Sequence, residues 1–163
     1  MAEFEIFEMA VGGGVLALSP LPGRTRHYAT DLARLLDWRP ALVMTMCETH
    51  ELERKGSGSL GADMAAHGIA WRHLPLPDYA APGAELAGWA EASGLALGLL
   101  AARRRVLVHC FGGCGRSGMA VLRLMVEAGE DGAAALARLR QARPCAVETD
   151  AQLAWALAGR EVG

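Results

Sequence analysis

Cys110 and Arg116 are separated by five residues, Phe111-Gly-Gly-Cys-Gly115, and Ser117 follows at once. The stretch lies between the apolar run Val106-Leu107-Val108 and the amphipathic pattern Met119, Leu122, Met125, Val126, so it reads as a glycine-rich turn joining a strand to a helix. Such a turn converges several backbone N–H groups on one point, and the partial positive charge of the helix N-terminus adds to their field. A phosphate fits there. Gly112, Gly113 and Gly115 permit the curvature and close backbone approach that side chains would obstruct. The same field favours thiolate over thiol at Cys110, which makes it a nucleophile. A loop that wraps an oxyanion brings the Arg116 guanidinium back over it, where its fork holds two oxygens. Phe111, Gly112, Gly113, Cys114, Gly115 and Arg116 thus form the expected phosphate-binding cradle. Ser117 has two readings: its hydroxyl donates to the Cys110 sulfur and eases thiolate departure, or it caps the helix.

The pattern His109-Cys110-x5-Arg116-Ser117 resembles the signature of the cysteine-based protein tyrosine phosphatase superfamily. Chain length and the segments HLPLPDYAAPG and RPCAVETDAQ are similar to its compact dual-specificity branch, the cyclin-dependent kinase inhibitor 3 and Cdc14-like phosphatases, over roughly residues 40–158. The resemblance implies a phosphocysteine intermediate on Cys110, phosphate binding by Arg116, and proton transfer by a loop aspartate, here Asp78. Asp78 has an argument of its own, because a leaving alkoxide or phenoxide needs a proton from a group on a separate shaped loop, and Pro75, Pro77 and Pro82 frame one. Without the cysteine motif, an aspartate after proline reads as a turn former. Asp31, Asp63 and Glu85 are weaker rivals, in settings that read as helix surface or helix start. Gln152 lies in a segment similar to the family's water-positioning loop, which implies that it orients the hydrolytic water.

His109 precedes the nucleophile on a strand and should point to the opposite side, so it is expected to hydrogen-bond beneath the loop rather than act as a base. Cys47, in CETHEL, occupies a place where some superfamily members carry a cysteine that traps the oxidised nucleophile. Cys47 and Cys114 are therefore candidate redox partners of Cys110, with an ordinary buried cysteine as the plain alternative for Cys47. Cys145 reads as packing or turn. A metal reading would take His109, Cys110 and Cys114, but a fourth ligand has no clear spacing, so neither metal nor cofactor is expected.

These groups need a scaffold. Phe4, Ile6 and Phe7 suggest a first strand and Val15 to Leu18 a second, separated by a sharp turn at Gly12-Gly13-Gly14. Tyr28, Leu32, Leu35 and Leu36 recur at helical spacing, with Thr25 as the expected cap. Ala41 to Cys47 reads as a buried strand, Leu60 to His67 as a short helix ended by Gly68, and Ile69 to Leu74 as another strand. A proline-framed loop, Pro75 to Gly83, leads into a long helical pattern from Ala84 to Ala102. Asp131 to Gln141 and Asp150 to Ala158 add two helices around the Arg143-Pro144 break. The expected fold is a three-layer α/β domain with a short, mostly parallel central sheet flanked by helices and the site at the strand ends.

The chain has 163 residues, the length of one ordinary domain, and residues 1–163 read as one unit. At 52% hydrophobic and 21% charged it should bury a real core and is not a disordered chain. Sixteen basic residues against eighteen acids leave a net charge of -2, so no net basic field draws nucleic acid. The least charged stretch, Leu86 to Ala102, is broken by Glu91 and three glycines and fails as a membrane span. Four scattered cysteines do not make a disulfide scaffold, and MAEFEIFEMA lacks the pattern of a secretion signal, so a cytoplasmic monomer without a membrane anchor is expected.

The expected activity is hydrolysis of phosphomonoesters on a phosphorylated protein, at Tyr or at Ser/Thr. The alternatives are a phosphate-recognition module with little turnover, a lipid or small-phosphoester phosphatase, and an arsenate reductase. A cradle without lysine weighs against a highly phosphorylated lipid. Arg24 and Arg26 could meet an acidic or phosphorylated flank, although solvated arginines are the plainer reading.

Overall fold

Gly12 and Gly13 take φ of 60° and 97°, the left-handed backbone of a two-residue hairpin turn. The turn dictates the pairing of the strands on either side. In the computed structural model, which describes residues 3–83 and 85–161, β1 (Phe7–Val11) runs antiparallel to β2 (Gly14–Ser19), with Val11 opposite Gly14. The first strand therefore sits later than the Phe4–Phe7 pattern suggests, because register counts back from the turn, and Phe4 is buried ahead of it.

The remaining elements are α1 (Tyr28–Trp38), β3 (Leu42–Thr45), α2 (Thr49–Arg54), α3 (Leu60–Ala66), β4 (Ala70–His73), α4 (Trp89–Ala101), β5 (Arg105–His109), α5 (Gly115–Glu127), α6 (Gly132–Ala142), α7 (Asp150–Leu157) and a 3-10 turn at Ala158–Glu161. The sheet order is β1-β2-β5-β3-β4, and every pair except β1–β2 is parallel. α4 begins after Gly88, later than expected from Ala84, a residue outside those described. Thr25 does not cap α1: His27 holds that position and no side chain caps it. α6 and α7 begin with true caps, Asp131 accepting from Ala134 N–H and Thr149 accepting from Gln152 N–H.

Alternation along the strands divides two cores. Leu16, Leu18, Leu42, Met44, Val106 and Val108 face α4–α7, while Ala17, Val43 and Leu107 face α1–α3 through Leu35, Leu52, Leu60 and Met64. This is the three-layer α/β sandwich expected, with β5 central and its C-terminal end feeding the glycine-rich turn. Among the described residues no helix is long and apolar enough to cross a membrane.

His109 closes β5 between Ser19 of β2 and Thr45 of β3. One ring nitrogen lies 2.7 Å from Thr45 Oγ1 and the other 3.0 Å from the Cys110 carbonyl. Burial pushes its pKa down to about 4, so the ring is neutral at physiological pH and fixes the strand end from beneath. A base whose folded pKa lies below its unfolded value binds more protons when unfolded, so stability is present above pH 6.5 and is lost as pH falls toward 4. Urea denaturation should show a loss of about 2 kcal/mol between about pH 7 and about pH 5, flattened in His109→Gln; an equal slope in the variant would contradict this source.

Candidate active site

The turn Cys110–Cys114 is held by its carbonyls. The Phe111 carbonyl accepts from Leu21 N–H at 3.0 Å, and the Cys114 carbonyl accepts from Val147 N–H at 3.1 Å. The Gly112 and Gly113 carbonyls accept from the Arg143 guanidinium at 3.0 and 3.1 Å. The Cys110 carbonyl is taken by His109. Five carbonyl oxygens drawn outward by four partners leave the N–H groups of residues 111–117 free: none donates to another group among the described residues. That is the geometry of an anion-binding nest at the start of α5. Gly113 has φ of 74°, and a Cβ there would lie 2.6 Å from Pro20 N, so the tight approach of the turn to the end of β2 requires glycine.

Cys110 is 3% exposed, and its sulfur lies 3.2 Å from Ser117 Oγ. Arg116 is 1% exposed and its fork is spent in an orderly way. Nη1 and Nη2 donate to the two Glu51 oxygens at 2.7 and 2.8 Å, and Nη1 also donates to the Leu76 carbonyl at 2.8 Å. Nη2 lies 3.4 Å from Asp78 Oδ1. Among the described residues, Arg116 Nε is the one buried side-chain nitrogen or oxygen with no hydrogen-bond partner. Burial opposes both charges of the Arg116–Glu51 pair, yet mutual hydrogen bonding holds the arginine pKa above its ordinary value and the glutamate pKa below its own.

Asp78 is half-exposed on the proline-framed loop, with Oδ1 accepting from Tyr79 N–H at 3.0 Å. The loop is pinned at three places: Leu76 N–H donates to the Met46 carbonyl, the Leu76 carbonyl meets Arg116, and the Ala80 carbonyl accepts from Gln152 Nε2 at 3.3 Å. Gln152, fully buried, also accepts from the N–H groups of Glu148 and Thr149. Cys110, Phe111, Gly112, Cys114, Gly115, Asp78, Tyr79, Arg24, Arg143 and Glu148 line one cleft of ≈ 340 Å³. Of the rival carboxylates, Asp31 is buried and accepts from Gly23 N–H, and Asp63 accepts from Tyr28 and Ser59 hydroxyls.

The cysteines depart from expectation. Cys114 is bonded to Cys145, which is therefore more than packing or turn, and the bond ties the phosphate loop to the α6–α7 connection. Cys114 accordingly cannot act as a free partner of Cys110, nor join His109 and Cys110 around a metal. Cys47 is a free, buried thiol whose pKa burial pushes up to about 12, a poor nucleophile at neutral pH.

Three participants escaped the sequence reading: Glu51, Arg143 and the Cys114–Cys145 bond. Glu51 had a local signal, since it pairs with Glu48 in a capping box that starts α2. Nothing in its spacing announces Arg116, 65 residues away. Arg143 stacks on Phe7 at 4.4 Å and reaches the turn across 30 residues, a contact only the fold creates.

Fold and site together define a cysteine-dependent phosphatase of the dual-specificity class. The model of the Tc-R-P family, "Polymorphic toxin system, DSP-PTPase phosphatase", matches residues 19–130, and the chain belongs to that family. The structure is similar to kinase associated phosphatase (KAP) with its catalytic-site cysteine changed to serine, at 22% identity and a TM-score of 0.84, covering 99% of this chain and 97% of that one. It is similar to Tk-PTP in its active form, at 28% identity and TM-score 0.72, over 95% and 97% of the two chains. It is also similar to PTPMT1 in complex with PI(5)P, at 20% identity and TM-score 0.75, over 96% of each. No curated protein sequence matches the chain.

Two outcomes follow from the buried pair and the disulfide. Glu51→Ala strands a buried guanidinium and should cost about 3–5 kcal/mol in urea denaturation; a loss below about 1 kcal/mol would contradict the pairing. Cys145→Ser opens a loop closed across 31 residues and should cost about 3 kcal/mol. Thermal melting with and without reductant checks this: the unsubstituted protein should fall to the variant's midpoint when reduced, and the variant should not respond.

Proposed function

We propose that the chain hydrolyses phosphomonoesters on protein side chains, Tyr or Ser/Thr, through a phosphocysteine formed on Cys110. The observation that carries this reading is Arg116: its outer nitrogens are fixed by Glu51 and Leu76, while its buried Nε has no partner among the described residues. A tetrahedral oxyanion seated on the turn's amides supplies that acceptor and neutralises the cluster of N–H dipoles.

In the first step the Cys110 sulfur attacks phosphorus, the S–P bond forms, and the ester P–O bond breaks. The leaving oxygen takes its proton from the Asp78 carboxyl. In the second step water attacks phosphorus and gives a proton to the Asp78 carboxylate. The S–P bond then breaks and the thiolate returns to the Ser117 hydroxyl. Gln152 bridges Ala80 of the Asp78 loop to the start of α7, which supports a role in orienting that water. Amides and one guanidinium neutralise the equatorial oxygens throughout.

The reading takes residues 1–163 as one catalytic domain acting as a cytoplasmic monomer on phosphorylated protein. A disulfide is maintained most readily in oxidising compartments, so the oxidation state of Cys114 and Cys145 in cell extract quenched with alkylating agent tests the location directly.

Cys110→Ser should abolish turnover of an aryl phosphate. Asp78→Asn should slow it by about 10²- to 10⁴-fold for poor leaving groups and far less for good ones. Undiminished hydrolysis in Cys110→Ser would refute the mechanism.

A further inference from the structure

The rim of the Cys110 cleft carries cations that the phosphoryl chemistry leaves unused. The Cζ atoms of Arg24 and Arg54 both stand 5.6 Å from the centre of the Phe111 ring, and Lys55 Nζ stands 5.7 Å from it. Three cations thus converge on a single ring. Three like charges around one small ring repel, and the ring quadrupole offsets only part of that repulsion. Among the described residues none of the three reaches a carboxylate at ion-pair distance; Glu51 and Asp78 lie against Arg116 and Glu48 against His50, while Glu148, which lines the same cleft, makes no ion pair with them.

The cluster is mounted on ordered backbone. Arg24 follows Gly23, whose N–H donates to the buried Asp31 carboxylate at 2.7 Å. Two residues earlier, Leu21 N–H is bonded to the Phe111 carbonyl. The Ser57 hydroxyl donates to the Pro22 carbonyl and joins this loop to the turn after α2. Arg54 and Lys55 end that helix, and its Glu51 holds Arg116. One scaffold therefore sets the distances between the three cations, the Phe111 ring and the phosphate-binding guanidinium.

We propose that Arg24, Arg54 and Lys55, gathered round Phe111 beside the Cys110 cleft, form a subsite for the acidic flank of a phosphopeptide substrate. The subsite rests on the phosphatase reading above and names the class of substrate it prefers. The cations stand on the rim rather than in the glycine cradle, which suits charge on residues next to the phosphorylated one, spaced about 3.3 Å apart along an extended chain. Tyr79, 61% exposed beside Asp78, offers an apolar face to the same segment across the cleft.

The test compares phosphotyrosine peptides identical except for their flanks, Asp/Glu in one and Asn/Gln in the other, with an aryl phosphate as reference. The unsubstituted enzyme should favour the acidic peptide by about tenfold in kcat/KM, expressed in KM, and the preference should shrink as salt rises from about 0.05 to 0.5 M. Arg54→Gln combined with Lys55→Gln should reduce it to about twofold or less, and Arg24→Gln should reduce it separately. Aryl phosphate hydrolysis without any flank preference, or a preference that survives the substitutions, would overturn the subsite while leaving the phosphatase intact. Faster turnover of a phosphoinositide in phosphatidylcholine vesicles than of the acidic peptide would overturn the peptide assignment. Failure to hydrolyse even the aryl phosphate would overturn both readings.

Discussion

A guanidinium with 1% exposure, clasped by both oxygens of Glu51 and by the Leu76 carbonyl, fixes the geometry of everything around the nucleophile. Burying such a charge is unfavourable unless it is paired and hydrogen-bonded, so Arg116 cannot swing freely between solvent and site. Its anchors come from different elements: Glu51 from α2 and Leu76 from the loop that carries Asp78. The pair thereby makes the phosphate site, the smaller helical layer and the acid-bearing loop depend on one another.

The same logic runs through the turn itself. A glycine-rich turn could point carbonyls or amides at its centre, and only the second arrangement receives an anion. Here Leu21, Arg143, Val147 and His109 draw the carbonyl oxygens outward, so the amides are directed inward before any ligand arrives. The Cys114–Cys145 bond adds a covalent tie between this turn and the segment bearing Arg143, which limits how far the cradle can unwind. His109, neutral and doubly hydrogen-bonded, supports the strand end from the opposite side. The turn around Cys110 is thus held by groups from both faces of the sheet.

How much of this the sequence disclosed depended on range. The strand, turn and helix around Cys110–Ser117 were legible because each signal is local: apolar run, glycines at fixed offsets, amphipathic repeat. The loop that carries Asp78 is legible because prolines frame it. α2 is not legible, since six residues offer too little periodicity and only the Glu48–Glu51 capping box marks them. The first strand lies later than the apolar residues Phe4 and Ile6 suggest, because the turn geometry sets its register. Glu51, Arg143 and Cys145 belong to pairings across 65, 30 and 31 residues, and no pattern within a short window encodes such partners. Cys145 in particular looks like any cysteine after a proline until the fold brings it beside Cys114.

The central claim is that one sulfur, seated in a ring of amides and faced by a fixed guanidinium, accepts the phosphoryl group. Rapid acid quenching of the enzyme during turnover of an aryl phosphate with a good leaving group, followed by peptide mapping by mass spectrometry, measures this directly. The account predicts a transient phosphoryl group on the peptide containing Cys110 and on no other. Steady turnover with that peptide never labelled, or with the phosphoryl group on a different residue, would contradict it.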